Sequence, residues 1–133
     1  MKKIVIDSFA VLAYLRQEGG YRKFKRLLQE AKVDKARLFL CWLNLGEVYY
    51  QVWRKRSQED AKRALSLIQK LPLELVSVTD DLVLEAMEIK ALFPIALADC
   101  FAAALAKREK APILTGDPEF RKLENLVGIE WLR

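Results

Sequence analysis

The sequence predicts an α/β domain, a three-layer α/β/α sandwich around a central, mostly parallel sheet of about four to five strands. Three observations carry that expectation. Short, largely apolar runs recur along the chain, "KKIVID" at the start and "RLFLC", "LELVSV" and "APILT" further on. Between them lie helical stretches long enough to cross back over a sheet. The 133 residues are 53% hydrophobic and 31% charged, which suits a single globular domain over 1–133; a chain of this length buries roughly 68% of its unfolded surface without staples.

Each element has a local reason. "KKIVID" is a buried strand that feeds directly into the helical "SFAVLAYLRQEGG", which Gly19-Gly20 would close. "YRKFKRLLQEAK" places Tyr21, Phe24, Leu27, Leu28 and Ala31 at helical spacing with basic residues opposite. After the second strand, "RLFLC", a long helix is expected from about Trp42 to Arg56 and another from about Gln58 to Leu71, ended by Pro72. "LELVSV" is the third strand. In "TDDLVLEAMEIKALF" the Thr79 hydroxyl can cap a helix whose first turn holds Asp80 and Asp81. Pro94 separates it from "ALADCFAAALAKREK", rich in good helix formers. "APILT" is a fourth strand, "GDPEFRKL" a turn with a short helix, and "GIEWL" a candidate fifth strand.

Composition excludes several chemistries. With no histidine, Ser-His-Asp and Cys-His arrangements and imidazole zinc sites are absent. Cys41 and Cys100 lie in apolar surroundings without CxxC spacing and are expected to be reduced core residues. No glycine-rich phosphate loop is present. Lys2-Lys3 and Ile4-Val5-Ile6 are too short for a signal segment, and no stretch approaches the roughly 20 apolar residues that cross a bilayer, so a soluble, cytoplasmic chain is expected. The net charge of +5 favours a polyanionic partner, although "YRKFKR", "RKR" and "KREK" taken singly are solvated helix faces.

In parallel α/β sheets the working site lies beyond the carboxyl ends of the strands. Asp7 follows "KIVI" and Asp117 follows "PILT", while Asp99 sits in the first turns of its helix and Glu47 within the helix after the second strand. Each has a plain structural explanation. Asp7 or Ser8 can cap the first helix, Asp117-Pro118 is a strong cap-and-first-turn pair, and Asp99 gains from a helix dipole. Glu47 shares a polar stripe with Asn44, Gln51 and Arg54 that ordinary solvent exposure would explain. Asp99, however, is the only charge between Lys90 and Lys107. Together, four carboxylates at one sheet edge would repel unless a cation compensated. Mg²⁺ or Mn²⁺ takes oxygen ligands, polarises phosphates and acidifies water without any histidine.

These residues resemble the PIN-domain ribonucleases, and in size and layout the toxin half of VapBC-type toxin–antitoxin pairs. The matching stretches are "IVIDSFAVLAYL", "LNLGEVYYQV" around Glu47, "LADCFAAALA" around Asp99 and "ILTGDPEF" around Asp117, in family order across nearly the whole chain. The resemblance implies a metal-dependent endoribonuclease that hydrolyses RNA phosphodiester bonds, with Asp7, Asp99 and Asp117 holding one or two Mg²⁺ or Mn²⁺ ions and Glu47 a ligand directly or through water. It implies supporting roles for Ser8, Thr115 and Asn44, the last hydrogen-bonding to Glu47 or to the scissile phosphate. It also implies a homodimer and a cognate antitoxin protein seated in a hydrophobic groove, for which Tyr14, Tyr21, Phe24, Leu28, Tyr49, Tyr50 and Trp53 are candidates, though most are expected in the core. Many family members carry a helix-start Ser or Thr before the third Asp. Ile95 and Ala96 occupy that area here. Two other readings stand beside this one: a PIN-like module that binds RNA or protein without cutting, and an aspartate-using phosphoryl-transfer domain. The second lacks an acidic neighbour beside Asp7 and a lysine placed after a strand.

Overall fold

A computed structural model describes all 133 residues. Five strands form one wholly parallel sheet in the order β3-β2-β1-β4-β5, with β1 at Lys2–Ile6, β2 at Ala36–Cys41, β3 at Glu74–Val76, β4 at Ile113–Thr115 and β5 at Ile129–Trp131. The three-layer expectation therefore holds, and the tentative last strand pairs in parallel with β4. Because side chains alternate along a strand, β1 splits its apolar residues between two cores. Ile4 and Ile6 join Leu38 and Leu40 beneath α1 (Ser8–Arg16), α2 (Tyr21–Lys32), α3 (Trp42–Lys55) and α4 (Gln58–Gln69). Val5, Phe39 and Cys41 face α5 (Asp80–Leu92) and α6 (Leu97–Glu109). Helix α6 reads as one long apolar run because it is buried nearly all round: Cys100 to Ala106 are all in the core.

Three of the six α-helices begin at a side-chain cap. Thr79 Oγ1 accepts from Leu82 N–H at 3.2 Å and Ser57 Oγ from Asp60 N–H at 3.0 Å. The first helix departs from expectation at its end. Gly19-Gly20 does not close it; Gln17 adopts the left-handed conformation (φ 53°), and its N–H returns to Ala13 and Tyr14 carbonyls. Gly20 (φ 83°) instead opens α2 and passes so close to the Leu132 backbone that a β-carbon would collide with it. The third strand is also shorter than "LELVSV", limited to Glu74–Val76 at the sheet edge.

Both cysteines are free and buried, as expected, and burial pushes their thiols up, away from the reactive thiolate. No single helix is long and apolar enough to cross a membrane. The topology carries the most important functional consequence. From β1 the chain moves outward to β2 and β3, then returns to the other side of β1 for β4 and β5. The crevice between the carboxyl ends of β1 and β4 is thus the topological switch point, where parallel sheets bind ligands.

Candidate active site

The end of β1 is held against β4 by two bonds, Val5 N–H to Pro112 O at 2.9 Å and Asp7 N–H to Leu114 O at 3.4 Å. This fixes where Asp7 leaves the sheet. Its Oδ1 accepts from Ala10 N–H at 2.8 Å, so Asp7 is the N-cap of α1. Ser8 is free of that task. Across the crevice, Thr115 Oγ1 accepts from Asp117 N–H at 3.0 Å, and Asp117 Oδ1 accepts from Glu119 N–H at 3.0 Å. Asp117 therefore caps the 3₁₀ turn Pro118–Leu123, with Pro118 in its first turn. Each of these aspartates spends one carboxylate oxygen on a cap.

All four candidate carboxylates line one cavity of about 830 Å³, in the upper part of the roughly 300–1,000 Å³ range of ligand clefts. Asp7 reaches it from the end of β1, Glu47 from the second turn of α3, Asp99 from the first turn of α6 and Asp117 from the turn after β4. Asp7 is almost fully buried without a cationic partner. Burial pushes its pKa from the ordinary 3.8 up to about 8, opposed by hydrogen bonding from Thr115 and Ala10 and reinforced by the charges of Asp99 and Asp117. Asp99 is half-buried and rises to about 7, through burial first and then the negative charges of Asp117, Glu47 and Glu119. Carboxylates raised by burial and by acidic neighbours in one cleft mark a candidate functional site.

The donor set fits a hard divalent cation: carboxylate oxygens only, with no imidazole and no thiolate. As they stand, no three acidic side chains converge tightly enough to hold an ion together. The shared cavity and the raised pKa values are the signs of fit.

Asn44 corrects the sequence reading. It lies fully buried, although the Asn44-Glu47-Gln51-Arg54 stripe was expected to be solvent-facing. Its Nδ2 donates to Ser8 Oγ at 3.2 Å and to Ala98 O at 3.1 Å, and Ser8 Oγ donates to the Asn44 carbonyl at 3.2 Å. It bonds neither to Glu47 nor outward; its Oδ1 is buried without a partner. In this way Asn44 ties α3 to the residue after Asp7 and the residue before Asp99. The N-cap of α6, Ala96, makes no side-chain bond. Thr115 is fully buried at the end of β4.

Other lining residues escaped the sequence reading. Gln51 and Lys55 continue the Glu47 stripe at helical spacing, so the signal was present, but Lys55 rather than Arg54 faces the cavity. Phe9, Leu12, Ala13 and Arg16 line it from one face of α1, and Arg121 with Trp131 from the opposite end. Arg121 sits over the Trp131 ring at 5.9 Å. Arg16, Lys55 and Arg121 form no ion pair. The floor of the cleft is thus acidic and its rim cationic. Of the seven groove candidates, Phe24 and Leu28 are core, while Tyr50 and Trp53 are exposed and Tyr14, Tyr21 and Tyr49 are half-buried.

Comparison with known proteins agrees with this layout. A family profile described as PIN domain matches residues 4–126. DNA-bound VapBC from Salmonella typhimurium superposes with a TM-score of 0.77 at 16% identity, covering 100% of both chains. VapBC2 from Rickettsia felis, bound to a promoter DNA fragment, gives 0.74 at 18% identity over 97% of this chain and 98% of that one. VapC20 from Mycobacterium tuberculosis, a Sarcin-Ricin loop cleaving toxin, gives 0.69 at 18% identity over 89% and 92%. At such identities the likeness is one of fold. No match was found among curated proteins.

Proposed function

From the premise that this chain belongs to the PIN-domain family, we propose that it is a metal-dependent endoribonuclease, the toxin of a toxin–antitoxin pair, acting as one domain over residues 1–133. The observation that carries the reading is the convergence of Asp7, Glu47, Asp99 and Asp117 from four separate elements on one cleft, where Asp7 and Asp99 are raised by burial first and then by neighbouring carboxylates. Helix caps alone require no such gathering. The Sarcin-Ricin loop cleaving activity of the VapC20 toxin, a fold relative, supports RNA as the substrate class.

In this proposal Asp7, Asp99 and Asp117 hold Mg²⁺ or Mn²⁺, and Glu47 joins them directly or through water. A bound divalent ion supplies polarisation of a phosphoryl oxygen and acidification of a water molecule. The protein's own part is positioning. The two caps fix one oxygen of Asp7 and one of Asp117, and Thr115 adds a hydrogen bond to the Asp7 carboxyl. Thr115 sets the turn that carries Asp117, and Ser8 with Asn44 sets the spacing of the α1, α3 and α6 starts. Arg16, Lys55 and Arg121 on the rim neutralise the substrate's phosphates and the charge that builds at phosphorus.

The partners proposed are RNA, a cognate antitoxin as in the VapBC complexes, and a second copy of the chain, all in the cytoplasm. The exposed aromatics Trp42, Tyr50 and Trp53 on α3 give protein partners apolar surface to cover. The deciding experiment pairs wild type with Asp117→Asn on structured RNAs, with Mn²⁺ or chelator. Asparagine caps as well as aspartate, so the variant keeps the fold and loses one ligand charge. Cleavage that depends on Mn²⁺ and falls at least a hundredfold in the variant is expected. Cleavage unchanged by chelator or by the substitution would sink the reading.

A further inference from the structure

Phe9 stands two residues after Asp7, and it is the one large apolar side chain of α1 that stays out of the core. It is 42% exposed and lines the acidic cleft, whereas Val11 and Leu12 on the same helix are buried. One part of its ring rests on the backbone of Gly116, between Thr115 and Asp117, where any β-carbon would overlap it. Gly116 is not in the left-handed region. Its backbone would accept an alanine, so the glycine answers to the ring and not to a turn. The bare Gly116 backbone thus leaves room for one aromatic ring between two walls of the crevice. A single exposed phenylalanine is ordinary; one seated against Gly116 beside the acidic groups offers a flat apolar surface to a ligand.

Resting on the ribonuclease reading above, we propose that Phe9 is the base-binding platform of the site: its ring stacks on the nucleobase flanking the scissile phosphate and sets which nucleotides are cut. The chemistry of the neighbourhood supports a nucleotide there. The carboxylates, once compensated by a cation, take the phosphate, and Arg16 lies farther along the Phe9 face of α1 to meet the next phosphate. A base presents its face to a ring only when unpaired and unstacked. Phe9 thus selects an RNA nucleotide that has left its helix.

The test uses a short fluorescein-labelled single-stranded RNA of mixed sequence, whose cut bond is first mapped with wild-type protein and Mn²⁺. Two further versions carry an abasic residue on either side of that bond. Loss of the stacked base weakens such contacts about tenfold to a hundredfold. The expected result is that Phe9→Leu raises the half-saturating RNA concentration about tenfold or more, with the loss lying there and not in the saturated rate, and that Phe9→Trp restores it. One of the abasic RNAs should impair wild type by a similar factor and Phe9→Leu by much less. The abasic comparison with wild type alone still decides the matter if Phe9→Leu folds poorly. Equal penalties from both abasic RNAs in wild type and variant, or unaltered half-saturation in Phe9→Leu, would overturn the platform while leaving the ribonuclease reading intact. Wild type that neither binds nor cuts the RNA with Mn²⁺ would overturn both.

Discussion

Asn44 and Ser8 bond to each other twice, amide to hydroxyl and hydroxyl to main-chain carbonyl, each at 3.2 Å. With the third bond from Asn44 to Ala98 O, one buried amide braces the neighbours of both Asp7 and Asp99. Truncation by Asn44→Ala removes the two bonds the amide donates, to Ser8 Oγ and to Ala98 O, at a cost of about 1–3 kcal/mol. Urea denaturation should register that loss. Because the brace sets carboxylate spacing, Mn²⁺ affinity measured by calorimetry should fall as well; an unchanged affinity in a destabilised variant would reduce Asn44 to a structural role.

Asp99 is half-buried beside the carboxylates of Asp117, Glu47 and Glu119 and has no ion pair. Removing its charge with Asp99→Asn relieves that repulsion, so in chelator the variant should melt higher than wild type. Mn²⁺ should raise the melting temperature of wild type by binding the folded state, and raise that of the variant much less. Equal metal shifts in the two proteins would remove Asp99 from the ligand set.

The raised carboxyls also fix the direction of a pH effect. Asp7 moves from 3.8 to about 8 and Asp99 to about 7, so between about pH 4 and pH 8 the folded chain retains protons that the unfolded chain has released. Stability in chelator is therefore highest on this account below the unfolded value and declines as pH rises through the folded ones. Metal binding needs the deprotonated forms, so the Mn²⁺-induced gain in melting temperature should grow over the same interval. Melting curves taken across that range with and without Mn²⁺ test both slopes; a metal gain independent of pH would contradict the assignment.

Gly116→Ala should cost about 1–3 kcal/mol by overpacking against the Phe9 ring. The double variant Phe9→Ala, Gly116→Ala should recover part of that cost, since the clash disappears with the ring. Additive losses in a double-mutant cycle would show that the two residues do not meet.

Much of this protein was legible from local chemistry. β1 and β2 read as buried runs because apolar residues fill both faces of a covered parallel strand. Thr79 and Asp117-Pro118 announced their caps because capping involves groups only a few residues apart. Gln17 was missed as the end of α1, since the adjacent Gly19-Gly20 is the stronger local signal and Gly20 is required instead by the passing Leu132 backbone. Asp7 and Asp117 could be nominated from strand ends and Asp99 as an isolated charge, whereas Glu47, on a polar helical stripe, stood out only through the family resemblance. The Asn44 brace could not, because a helical stripe looks the same whether its polar residue meets water or a Ser8 hydroxyl from another element.

The amino-acid sequence by itself determined the alternation of strands and helices, the positions of the caps and the chemical types available to the site, all of which depend on periodicity and short-range bonding. Tertiary structure alone decided which side of each helix faces the cleft. It buried Asn44, left Phe9, Tyr50 and Trp53 in the open, and chose Lys55 over Arg54 for the rim. The physical reason is that burial belongs to a pair of surfaces, and residues as far apart as Phe9 and Gly116 meet only because β4 pairs beside β1.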